Sequence, residues 1–222
     1  MSTFKKSPIT LLLVLSISLI FCCMQLLYPG EAENSPVIYH FGGLIGSILK
    51  ENLSDFWRLL TPIFIHIGWE HFIFNTITLF FLGQLSEELY GHIKFLILFF
   101  LSGIMGNVFV LLLTPDVIVA GASTSIFGLF AAIVITGYFS NNPNLKNLSN
   151  SYRTLIIINL IFNIMTPNVS LVGHLGGLIG GVVLGMGLSP KDETTLSTFV
   201  KTISIIFYFI ILISLILLAI NQ

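Results

Sequence analysis

Long apolar runs separated by short polar clusters set the pattern of this chain. Residues 8–27, 72–90, 93–113, 124–139, 154–166, 171–188 and 202–220 are apolar stretches, most of them near the roughly 20 residues a helix needs to cross a bilayer. The pattern predicts seven spanning helices. The fourth and fifth are short, and a short fourth fits a helix that begins below the membrane surface. The first run, at residues 8–27, exceeds the apolar region of about 7–15 residues found in a signal peptide and is read as retained. Residues 28–71 form the longest connection and include "HFGGLIGSILKENLSDFWRLLTPIFIHIGWEH". That stretch is too apolar for a free loop and too interrupted for a span. With Trp57, Arg58 and Trp69 as interfacial residue types, it predicts short helices at or partly in the outer face of the membrane. "NNPNLKNLSNS" reads as a polar loop.

Composition agrees with this picture. Of 222 residues, 55% are hydrophobic and only 9% charged, against about 25% charged in a soluble domain. Such a chain cannot cover a water-facing surface, so the lipid bilayer is its solvent. A net charge of −1 gives no case for nucleic acid. Cys22 and Cys23 are adjacent in an apolar run and point about 100° apart on a helix. They read as apolar residues, not as a disulfide framework or a zinc site. With the N-terminus cytoplasmic, Lys5, Lys6, Lys94, Lys146, Arg153, Lys191 and Lys201 fall inside, and Lys50 and Arg58 outside. The C-terminus then lies outside. The expected fold is all-α, a polytopic transmembrane helical bundle.

Polar groups at membrane depth are costly, so each asks for a reason. "TPDVIVAGAST" joins the third and fourth runs, and its Pro115 and Gly121 argue against continuous helix. Irregular backbone at this depth is tolerated where it is buried in protein or lines a wet cavity. The fourth helix then opens on the hydroxyls of "GASTSIFGL", residues 121–129. Ser123 there is open to two readings, a helix cap or a nucleophile beside the unpaired N–H groups of a helix N-terminus. Ser125, about 200° further round, and Thr124 point elsewhere.

A nucleophilic serine needs a base. His40 lies in the surface connection and His92 on the cytoplasmic side. His174, in "LVGHLGGLIGGVVLG", shares a helical face with Gly177 and Gly181, and glycines so spaced admit a close helix. If the fourth helix fills that groove, Ser123 and His174 meet at one depth; a histidine that only bonds across a tight helix pair is the other reading. In "HIGWEHFIFN", His71 and Asn75 share a face. They suit either an oxyanion site or a polar clamp between helices, and His66 reads as structural. No acid is spaced to orient His174, which suggests a Ser–His dyad. His66 and His71 are five apart without a third ligand, so no metal or cofactor is implied.

These segments resemble the rhomboid intramembrane serine proteases. "GASTSIFGL" is similar to their Gly-x-Ser-x signature, "HIGWEHFIFN" to His-x-x-x-Asn, and "GHLGGLIGG" to His-x-x-Gly-x-x-x-Gly. "FWR" resembles the Trp-Arg of the family's first loop, and "EELYG" and "SGIMGN" resemble its second- and third-helix signatures. The resemblance covers roughly residues 8–188 and implies a six-helix core plus one C-terminal helix. It divides the chain into a core, residues 1–188, and a cytoplasmic linker with the seventh helix, residues 189–222. It implies Ser123 as nucleophile, His174 as general base, and His71, Asn75 and the Ser123 N–H as the oxyanion hole. It further implies Phe127 packed on His174, Gly121 as the close turn before the nucleophile, Gly177 as the contact between the fourth and sixth helices, and Glu87 and Arg58 as anchors. Where the family commonly has Gly-Ala after the nucleophile, this chain has Thr124 and Ser125, which puts a larger side chain beside the oxyanion site. The implied activity is endopeptidase cleavage of single-span transmembrane proteins in a bacterial plasma membrane. The alternative is an inactive rhomboid-like protein that binds or chaperones transmembrane helices. A transporter with broken helices would show paired repeats and charges on a pathway, and the sequence has neither.

Overall fold

A computed structural model describes residues 7–165, 169–190 and 193–222. Lys5, Lys6 and Lys191, which entered the charge count, lie outside the described residues. The chain is a bundle of seven long helices and two short ones, counted among the described residues. The long helices are α1 (Pro8–Leu27), α4 (Trp69–Tyr90), α5 (His92–Leu113), α6 (Ser123–Tyr138), α7 (Pro143–Met165), α8 (Leu171–Leu188) and α9 (Thr198–Ile220). Between α1 and α4 lie α2 (Ser35–His40), α3 (Gly46–Glu51) and two 3-10 turns, Leu53–Leu59 and Thr61–Phe64. The fold is therefore the all-α polytopic membrane bundle that the apolar pattern predicts. By length and composition α1, α5, α8 and α9 can cross a bilayer among the described residues. In α4 the polar groups Glu70, His71, Asn75 and Glu87 dilute the apolar face, and α6 has only 16 residues, about 24 Å at 1.5 Å per residue.

Two details differ from the expectation. The stretch read as a polar loop is the first half of α7, which begins at Pro143 and not near residue 154. Asn142 Oδ1 accepts the Asn144 N–H at 3.0 Å, and Pro143 follows it at the first helical position, a favoured start. The polar turns then stay helical because they pack on the end of α6. The Ser149 hydroxyl donates to the Val134 carbonyl at 2.8 Å, and Gly137 has no side chain to keep Leu145 and Ser149 away. The second difference is a short antiparallel pairing of β1 (Leu44–Ile45) with β2 (Ile118–Val119). It ties the long connection to the segment that precedes α6.

The core positions the site through α5, α6 and α8. α6 is enclosed by α4, α5, α7 and α8 and is buried almost all round. Its closest partner is α8, and small residues explain why. A Cβ added to Gly177 would fall on the Thr124 carbonyl, one added to Gly181 on the Gly128 carbonyl, and one at Gly185 would stand 2.8 Å from Ala132 Cα. Small-xxx-small rows of this kind let two backbones touch in a membrane. At the opposite end of the bundle from Ser123, the buried Glu87 carboxylate accepts from Ile9 N at 3.0 Å and from Thr10 N and Oγ1 at 2.7 Å each. A carboxylate on the exposed N–H groups of a helix start is a favourable match, and it joins α4 to α1. In the long connection, Arg58 donates to the Tyr39 carbonyl at 2.6 Å and to the Gly43 carbonyl at 3.2 Å. Its guanidinium carbon sits 3.7 Å from the Tyr39 ring centre and 4.2 Å from that of Trp57.

Candidate active site

Two first turns meet at the same depth. Ser123 is the first residue of α6, and His174 lies in the first turn of α8, whose start is capped by Ser170 Oγ accepting the Gly173 N–H at 3.1 Å. His174 Nε2 stands 2.7 Å from Ser123 Oγ. Ser123 is half-buried, while His174 is 4% exposed. The residue at the cap of α6 is Ala122, and no side chain caps that helix. The Ser123 hydroxyl is thus engaged with an imidazole and not with its own helix, which removes the cap reading.

The neighbouring hydroxyls are turned away. A Cβ added to Gly103 of α5 would fall on Ser125 Oγ, and Thr124 Cβ and Cγ2 lie against Gly106 of α5 and Gly173 of α8. Thr124 therefore fills the seam between helices and does not crowd the space beside Ser123, as its size at that position suggested. The His174 ring is covered by Phe127, with ring centres 4.2 Å apart and planes 17° from parallel. Gly177 brings α6 close enough for these contacts.

The wall opposite the helix start comes from the N-terminal end of α4. Gly121 has φ +134°, a conformation side chains rarely adopt, and a Cβ there would stand 2.5 Å from His71 Cε1 and 3.6 Å from Ser123 Oγ. Only glycine lets the backbone pass between these two side chains. The loop is held from behind by Gly121 N donating to the Pro62 carbonyl at 2.8 Å and Ala122 N donating to His66 Nε2 at 3.3 Å. His66 is 1% exposed and acts here as a loop anchor. Asn75 Nδ2 donates to the His71 carbonyl at 2.8 Å, which commits one of its two amide hydrogens and leaves the other for a further acceptor. The N–H groups of α6's first turn have no partner within the helix, and the N-terminal dipole favours negative charge there.

One residue at the site had no signal in motif or spacing. Asn163 of α7 places its side-chain amide nitrogen, Nδ2, 2.5 Å from His174 Nδ1. An asparagine inside "IIINLIFNIM" is itself a mark, since an amide at membrane depth asks for a partner. The sequence does not say which partner. Among the described residues, no three His, Cys, Asp or Glu side chains gather closely enough to hold a metal ion.

Comparison with known proteins points to one family. Residues 53–191 match the model of the Rhomboid domain. The chain is 35% identical over 163 residues to rhomboid protease GluP of Bacillus subtilis, covering 73% of this chain and 32% of GluP. It is 33% identical over 141 residues to YdcA of the same bacterium, covering 63% of this chain and 71% of YdcA. It is also 32% identical over 170 residues to Inactive RHOMBOID-like protein 8 of Arabidopsis thaliana, covering 74% of this chain and 47% of that protein. The match thus spans about a third of GluP, most of YdcA and about half of the plant protein. With the family domain aligned over most of the bundle, and the helix pair that bears Ser123 and His174 inside it, the chain belongs to the rhomboid family.

Proposed function

We propose that this chain is an intramembrane serine endopeptidase that cuts a peptide bond in or beside a substrate's transmembrane helix. The observation that carries the reading is the 2.7 Å contact of Ser123 Oγ with His174 Nε2 across α6 and α8. In this mechanism Ser123 Oγ attacks the scissile carbonyl carbon as its proton passes to His174 Nε2. The negative charge that develops on the carbonyl oxygen meets the Ser123 N–H, His71 and the second amide hydrogen of Asn75. His174 then gives its proton to the leaving amine, the C–N bond breaks, and the acyl group stays on Ser123. A water molecule loses a proton to His174, attacks the ester, and releases a carboxylic acid as the proton returns to Ser123 Oγ.

A backbone locked in a stable helix cannot offer its carbonyl to a nucleophile. The substrate is therefore a single-span protein whose helix unwinds near its outer end. The lysine and arginine bias supports a cytoplasmic N-terminus and an external C-terminus, and the Bacillus relatives support a bacterial plasma membrane. Residues 1–188 act as the catalytic core, with 189–222 as linker and seventh helix. Consistent with a supporting role for that helix, Tyr208 of α9 donates to the Leu101 carbonyl at 2.7 Å. A plant relative carries the word inactive in its name, so the second reading is a protein that holds transmembrane helices without cutting them. The presence of both Ser123 and His174 in contact favours the first. Incubating the purified protein in liposomes with a panel of tagged single-span proteins separates the two. The endopeptidase reading expects at least one shortened product, absent with Ser123→Ala. Binding of a panel member without any product from the wild-type chain would support the other.

A further inference from the structure

Asn163 lies on α7 with apolar residues on either side, half-buried, and its amide touches the His174 nitrogen that faces away from Ser123. The imidazole is gripped at both ends, by Ser123 Oγ at 2.7 Å from Nε2 and by the Asn163 amide nitrogen, Nδ2, at 2.5 Å from Nδ1. Phe127 covers one face of the ring.

This placement matters because a neutral imidazole carries its proton on one nitrogen or the other. To take the Ser123 proton, Nε2 must be bare, so Nδ1 must hold the hydrogen. An Nδ1–H in a ring that is 4% exposed needs an acceptor. Among the described residues, Ser123 on α6 is bonded at Nε2 and Asn163 on α7 is the group at Nδ1, while His71 on α4 stands across Gly121 from Ser123. The structure turns Nδ2 toward Nδ1, and a half-turn of the amide about its Cβ–Cγ bond exchanges it for Oδ1 in the same place. With Oδ1 toward the ring, the Nδ1–H form is held and Nε2 is the base. With Nδ2 toward the ring, Nδ1 becomes the acceptor, Nε2 keeps the hydrogen, and His174 cannot accept from Ser123.

We infer that Asn163 is a positioning residue that, with its amide turned to bring Oδ1 to Nδ1, selects the reactive tautomer of His174 and steadies the imidazolium formed during acylation. The inference rests on the Ser123–His174 reading above and turns that dyad into a serine–histidine–asparagine relay spread over α6, α8 and α7. Asparagine serves the histidine of a cysteine–histidine pair in the same way in papain-like proteases.

The test is the inactivation of the purified full chain by a fluorophosphonate, resolved into a maximal rate and a half-saturating concentration over a range of pH. Asn163→Leu keeps the size and removes the acceptor; Asn163→Asp keeps size and acceptor. The maximal rate falls about ten- to a hundredfold in Asn163→Leu, with the half-saturating concentration unchanged. Asn163→Asp recovers most of the rate, with its rising limb moved to higher pH because a carboxylate favours the imidazolium. His71 and His66 are intact in both variants, so neither accounts for the difference. A role in packing alone predicts the reverse order, with leucine tolerated and aspartate harmful. Wild-type rate in Asn163→Leu, or equal loss in both variants at every pH, overturns the inference. If Asn163→Leu does not give a monodisperse protein, Asn163→Ala carries the same expectation and the same refutation. A wild-type chain that does not react, or a Ser123→Ala chain that does, brings down the Ser–His reading and this inference with it. Normal reaction that is indifferent to residue 163 brings down this inference alone.

Discussion

At the residue scale, the proposed mechanism separates side chains that would do chemistry from those that hold them. Asn75 Nδ2 is bonded to the His71 carbonyl within one turn of α4, so only its second hydrogen can meet an oxyanion. Truncation to Asn75→Ala removes that donor and leaves α4 in place. Turnover is expected to fall roughly 100- to 1000-fold with little change in KM, measured on a cleaved single-span substrate. An unchanged kcat would assign Asn75 to the clamp role instead. Ser123 and His174 are each marked by polar groups at membrane depth, but the residues alone leave each open to two readings, and only the likeness to the rhomboid signatures joins them as a pair. Helix geometry turns Thr124 away from the Ser123 face, but the seam between Gly106 and Gly173 that receives it is formed by two other helices and has no mark in the local sequence. Asn163 escaped for a related reason. Two amides, Asn159 and Asn163, stand in one apolar run; each asks for a partner, and the one for Asn163 is on α8.

At the element scale, the close approach of α6 and α8 sets the reacting distance. Gly177→Val puts atoms where the Thr124 carbonyl stands. Overpacking at such a contact costs about 1–3 kcal/mol, and a misplacement of about 1 Å at the reacting pair costs roughly 100-fold in rate. Lower thermal stability and nearly complete loss of cleavage are expected together. Retention of both would show that α8 does not lean on α6 there. The long connection makes a separate prediction. Burial alone would raise the Asp55 carboxyl, but the hydrogen bonds from Arg58 and Tyr39 outweigh it and hold it below the ordinary carboxylate range. A depressed folded-state value means that this carboxylate supports the loop at neutral pH. The support is lost only as pH falls below that range. Hydrogen exchange of residues 53–59 is expected to quicken there in the wild type and to be already fast at neutral pH in Asp55→Asn. Equal rates in the two proteins at neutral pH would contradict this. The connection's short helices follow from its mixture of apolar and interfacial residues. The β1–β2 pairing does not, because it joins Leu44–Ile45 to Ile118–Val119, two-residue runs too short to announce a strand. The start of α7 was available in Asn142–Pro143, but polar composition pointed to a loop, and packing on α6 overrode it.

At the scale of the whole molecule, the run of apolar segments was the most legible feature, since a bilayer leaves few alternatives to helices for a chain of this composition. Orientation rests on lysine and arginine counts and gives its own test. A single cysteine at the terminus, Gln222→Cys in a chain with Cys22 and Cys23 replaced by serine, is expected to react with an impermeant maleimide in intact cells. Reaction only after the membrane is opened would invert the topology. The central claim is narrower. It holds that one hydroxyl of "GASTSIFGL" is a nucleophile because α6 and α8 bring it to an imidazole. The most direct measurement is peptide mapping by mass spectrometry after the wild-type protein has reacted with a fluorophosphonate. The account predicts a phosphonyl adduct on Ser123, absent from His174→Ala and present in Ser125→Ala. An adduct on Ser125 or Thr124, or one on Ser123 that forms as fast without His174, would contradict it.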